Sequence, residues 1–106
     1  MTASAEALRR SAEGTGPPPE GLSGPVLALW WQARGDWERA HEHAQAEAGP
    51  DGAWVHAHLH REEGDLANAD YWYVRAGRSR PQAPLAEEWH AIARALLERG
   101  PSGTAG

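Results

Sequence analysis

The sequence predicts an all-α fold, two stacked αα-hairpins and a C-terminal packing helix behind a flexible N-terminal arm. Three observations predict it. Glycine and proline punctuate the chain at intervals that suit short helices, with Gly-Asp corners at Gly35-Asp36 and Gly64-Asp65. Between the breaks, apolar residues recur every three to four positions, and nothing alternates in the two-residue rhythm of a strand. The corners also define an internal offset of 29 residues that lays Val26 on Val55, Ala28 on Ala57 and Ala40 on Ala69. Few other positions match, but these are the punctuation and small packing residues that a helical hairpin needs.

Residues 1–24 read as a disordered or weakly helical arm. TASAEALRRSA could form a short helix, but helices of that length are marginal alone in water. The Gly/Pro-rich EGTGPPPEGLSGP that follows has almost nothing to bury. The folded domain is expected at 25–99. Its first helix starts at Pro25, a good first-turn residue, and runs to Arg34, where Gly35 stops it. Asp36 caps the second helix, WERAHEHAQAEA. Gly49-Pro50 breaks the chain, since proline disfavours helical geometry in the residue before it. Asp51 is the expected cap of a third helix, Gly52 to Glu63.

A fourth helix follows from Leu66 to Ala76, capped by Asp65 and ended by Gly77. The last, LAEEWHAIARALLER, carries Glu87 and Glu88 in its first turn and Arg99 in its last, charges that suit the helix dipole. Residues 100–106 read as a flexible tail. Two core stripes are expected, Leu66/Ala69/Tyr73/Ala76 and Leu85/Trp89/Ile92/Leu96, with Trp54 and Trp89 as core anchors. With six Trp, one Met and no Phe, the core has to be built from Trp, Leu and Ala. A buried aromatic ring removes roughly 150–250 Å² from water, which matters in so small a domain.

Composition excludes several function classes. There is no Cys, hence no disulfide, thiolate nucleophile or Cys-based metal site. Net charge is −5 and Lys is absent, which argues against nucleic-acid binding. The longest apolar run, Val26 to Trp31, falls far short of the ~20 residues that span a bilayer. The N-terminus lacks a signal peptide's apolar stretch. A cytoplasmic protein without a membrane partner is expected.

The second hairpin resembles a tetratricopeptide repeat. After Gly64 come Ala69 at five positions, Tyr73 at nine, Ala76 at twelve and Pro81 at seventeen. The offset of 29 is shorter than the ~34 residues of that repeat. The stretch DGAWVHAHLHREEGDLANADYWYVRAGR is also similar to a family of short bacterial helical proteins with Trp-Val-His, Gly-Asp and Tyr-Trp-Tyr segments. That resemblance covers about residues 26–97. It implies the helical-hairpin fold and carries no biochemical activity to transfer.

Tyr71-Trp72-Tyr73 spans more than half a helical circumference, so one helix cannot bury all three rings. With Tyr73 in the core stripe, Tyr71 and Trp72 are left for solvent or a partner. Arg75 and Arg78 stand beside them. Exposed aromatics next to Arg are the composition of binding hot spots. The reading that follows is a non-catalytic protein-interaction module that binds a protein or peptide through Tyr71, Trp72, Arg75 and Arg78. It needs no cofactor and leaves homo-oligomerisation open.

The alternative is a His/Glu metal-binding protein or metal-dependent enzyme. His56 and His60 share a helix face with Glu63, and two imidazoles and a carboxylate can ligate zinc. His41 and His43 lie on another helix that could approach. The balance of the sequence favours a solvated polar face for His56 and His60, turned away from Trp54, Val55 and Leu59. His58 falls inside the apolar arc, with Glu62 one turn on as its expected partner.

Overall fold

The structure, a computed structural model, describes residues 4–99. Among them it has six helices and no strand: α1 (Ala5–Glu13), α2 (Gly24–Arg34), α3 (Trp37–Gln45), α4 (Pro50–Glu62), α5 (Leu66–Arg75) and α6 (Leu85–Arg99). The expected tail, 100–106, lies outside the described residues.

Both corners turn as their sequence requires. Gly35 and Gly64 adopt left-handed backbone, φ 93° and 87°, where a side chain would be strained. Each following Asp then caps a new helix. Asp36 accepts from the Arg39 amide at 3.1 Å, and Asp65 from the Asn68 amide at 3.3 Å. The products are two hairpins, α2–α3 and α4–α5, joined through α3–α4 and α2–α4 contacts. Helix α6 closes over α4 and α2.

Helix α4 is the axis of the molecule. Packed by α2, α3, α5 and α6, it is buried continuously from Gly52 to His60. Gly52 permits this: a methyl group there would sit 2.6 Å from the Glu47 carbonyl oxygen and 3.2 Å from that of Ala44. Trp30, Trp89, Tyr73, Leu29, Leu59 and Ile92 fill the core around it. Three Trp bridge elements by donating indole N–H bonds: Trp89 to the Leu29 carbonyl (3.1 Å), Trp37 to the Leu59 carbonyl (2.9 Å) and Trp30 to the Ser11 hydroxyl (3.1 Å).

Several expectations are corrected. Part of the N-terminal arm is docked helix. Ala5, Leu8 and Ala12 of α1 are buried, Arg9 lies over the Trp89 ring, and Arg34 donates to the Ala12 carbonyl at 2.5 Å. The surrounding helices supply the apolar surface that a short helix lacks alone. Helix α3 ends at Gln45, short of Ala48. Helix α4 begins at Pro50 rather than Gly52, with Gly49 as its N-cap, and Asp51 sits in its first turn. Leu66 is 42 % and Leu85 37 % exposed. Each is the first residue of its helix, while Ala69, Tyr73, Trp89, Ile92 and Leu96 are buried as expected.

Candidate metal centre

The α3–α4 seam gathers three imidazoles. His56 and His60, one turn apart, lie on the α4 side. The Trp37 indole bond to the Leu59 carbonyl fixes the start of α3 against the end of α4. One turn further along α3 comes His41, whose ring lies parallel to Trp37 at 4.8 Å. His56 and His41 place their Nε2 atoms 2.9 Å apart. One ligand atom from each of His41, His56 and His60 fits within a mutual separation of 4.8 Å.

The surroundings orient these rings. The Glu63 carboxylate binds Nδ1 of His60 at 2.8 Å, which leaves Nε2 of that ring for a metal. A carboxylate on the far nitrogen is the usual way a metal-binding histidine is oriented. Trp72 of α5 stacks on His56, with centroids 4.0 Å apart and planes within 16°. Burial, reinforced by the neighbouring His41 and His60, pushes the His56 pKa down to about 4. Burial and then His60 also lower that of His41, against an opposing pull from Glu63 and Glu42. At neutral pH these two rings are uncharged and keep the lone pair that a metal needs.

His56 and His60 are therefore only 4 % and 7 % exposed, and the expected solvated face is corrected. Helix α3, with Trp37 and His41, covers it. Of the expected set His56, His60 and Glu63, the structure unites the two histidines, moves Glu63 to a supporting place behind His60, and adds His41. His43 stays outside the cluster.

The expected partner-binding residues divide. Tyr71 is 54 % exposed and accepts a bond from the Arg75 guanidinium at 3.3 Å. Arg75 lies over the Tyr71 and Trp72 rings at 5.5 and 5.4 Å. Trp72 is half-buried and joins the histidine cluster. Arg78 turns away and stacks over Trp54 at 3.4 Å. A surface groove of about 490 Å³ opens beside the centre, with Ala44, Ala48, Pro50, His56, Trp72 and Arg75 in its lining.

A second polar cluster escapes sequence reasoning. Glu88, expected as a dipole charge, is 4 % exposed. It accepts from the Tyr73 hydroxyl at 2.5 Å and the Arg61 guanidinium at 2.8 Å, and pairs with Nδ1 of His58 at 2.7 Å. Burial works to raise the Glu88 pKa, but His58, Tyr73 and Arg61 outweigh it and hold it below the usual value. Burial and the carboxylate beside it push the Tyr73 hydroxyl up. Glu62, the expected partner of His58, instead accepts from Gln32 at 3.1 Å. No spacing in the chain signals this cluster, because Glu88 reaches it only through the packing of α6 on α4.

No family model, curated protein or solved structure matches the chain.

Proposed function

We propose that the chain is a metal-binding protein whose centre is His41, His56 and His60, with Glu63 orienting His60. The observation that carries this reading is the convergence of three ring nitrogens from two hairpins within 4.8 Å. Tetrahedral zinc with bonds of about 2.0–2.1 Å spaces its ligand nitrogens about 3.3 Å apart, a modest adjustment from the 2.9 Å between His41 and His56. Three imidazoles with no thiolate suit zinc and neighbouring divalent transition metals. Three protein ligands also leave a fourth position open, as in sites that bind an exogenous ligand.

Elemental analysis of untagged protein should give one metal ion per chain. His56→Ala and His60→Ala should each abolish it. Full retention by both variants, or no uptake from micromolar zinc, defeats the proposal.

A second reading is a cytoplasmic protein-interaction module, on the surface where Tyr71 and Val74, the latter 73 % exposed, flank Arg75. The resemblance of this hairpin to a tetratricopeptide repeat supports a protein or peptide partner. Tyr71→Ala should leave stability within about 0.5 kcal/mol, as exposed substitutions do, and abolish capture of a partner from the native host. Unchanged capture refutes that reading.

A further inference from the structure

Resting on the metal reading, we infer that the open coordination position takes the carboxylate of a small, largely apolar molecule, held at its other oxygen by Arg75. His56 belongs both to the histidine cluster and to the wall of the neighbouring groove. A ligand in that groove thus lies against a metal ligand. Trp72 and Arg75 share the same wall. They follow His56 in contact order, with Trp72 stacked on His56 at 4.0 Å and the Arg75 guanidinium 5.4 Å from the Trp72 ring centre.

Among the described residues Arg75 has no carboxylate partner. Its one side-chain bond is to the Tyr71 hydroxyl, so its charge is available to a ligand. A guanidinium presents parallel N–H donors that match a planar carboxylate. Ala44, Ala48, Pro50 and Ala53 supply apolar wall for the body of the molecule.

The lining decides between oxyanions. Inorganic phosphate has no apolar body to set against Ala44, Ala48, Pro50 and Ala53, and Glu47 on the same wall repels a dianion more than a monoanion. A monocarboxylate with a hydrocarbon or aromatic body fits charge and lining together.

The test uses the full chain loaded with cobalt(II), whose visible absorption reports its coordination. Benzoate is titrated against it, with benzamide as the neutral shape control and inorganic phosphate as the competing oxyanion. Benzoate should change the spectrum saturably and benzamide should not. Arg75→Ala, at an exposed position, should bind cobalt as the parent does but benzoate roughly tenfold to a hundredfold more weakly, the range for losing one charge-assisted bond. Equal benzoate affinity in the parent and Arg75→Ala overturns the inference and leaves the metal centre standing. Phosphate binding more tightly than benzoate also overturns it. Failure to take up cobalt at all overturns the metal reading and this inference with it.

Discussion

Glu88 collects two donors and the His58 ring where water is excluded, and its replacement is the most informative single substitution in the molecule. Glu88→Gln keeps the shape and removes the charge that holds Arg61, at a cost of about 1.5–3 kcal/mol. In a domain of this size each kcal/mol lowers the melting temperature by about 4–8 °C. The pH dependence has a definite sign. The folded protein holds this carboxyl ionised below its ordinary value of 4.5, so the unfolded chain takes up the proton first as pH falls. The contribution of Glu88 is whole above that value and is lost as pH falls through the lowered folded value. The gap in melting temperature between parent and Glu88→Gln should therefore close as pH falls below 4.5. A gap that does not narrow below that value contradicts the assignment. Much at this scale was hidden from the sequence. His58 was legible as a hydrogen-bonded histidine in an apolar arc, because helical phase is local. Its partner was not, because Glu88 comes from a helix whose approach depends on the whole core.

At the scale of elements, the Gly-Asp corners were legible because each needs only two adjacent residues. Gly64→Val should cost about 1–3 kcal/mol, the strain of a side chain in left-handed backbone, measured by chemical denaturation. Gly64→Asn should cost less, since Asn tolerates that conformation. Gly52 acts through space instead. Gly52→Ala would drive a methyl group into the Glu47 backbone just past α3 and close against the Ala44 carbonyl of α3 and should cost about 1–3 kcal/mol by overpacking. It should also weaken metal uptake, because α3 carries His41. Unchanged stability and uptake would mean that the seam yields freely. Helix α1 was the element the sequence understated. Propensity describes a helix by itself, and α1 owes its place to Trp30, Arg34 and Trp89. Deleting residues 1–13 should lower the melting temperature by at least about 10 °C. Buried Leu8 alone is worth about 1.5–3 kcal/mol, and the Ser11 bond to Trp30 is lost as well. A melt like that of the full chain would mean that α1 is dispensable.

Taken whole, the molecule is two hairpins arranged around α4, and α4 shows a different chemistry on each side. One side carries His56 and His60 towards α3; the other carries His58 to the buried carboxylate of α6. A metal held by His41, His56 and His60 would join the first hairpin to the second, since His41 belongs to one and the other two ligands to its neighbour. Metal should therefore stabilise the entire fold by about 2.7 kcal/mol at a hundredfold excess over its dissociation constant. The rise in melting temperature should vanish in His41→Ala, and an equal rise in that variant would place the metal elsewhere. The hairpin architecture was readable because its signals are periodic and local. The centre was half readable: one turn of spacing joins His56 to His60 within a single helix. His41 enters only through the packing of α3 on α4, which no spacing in the chain encodes.

The stacking of Trp72 on His56 and of Trp37 on His41 has an optical consequence. An excited indole in face contact with an imidazole loses its energy to that ring more readily once the ring is protonated, or once it binds a paramagnetic ion. Trp30, sealed in the core with Trp31 as its aromatic neighbour, emits from surroundings that neither event reaches. The protein thus carries its own reporter pair and its own reference. Occupancy of the histidine cluster can be followed from the ultraviolet emission of the unlabelled chain.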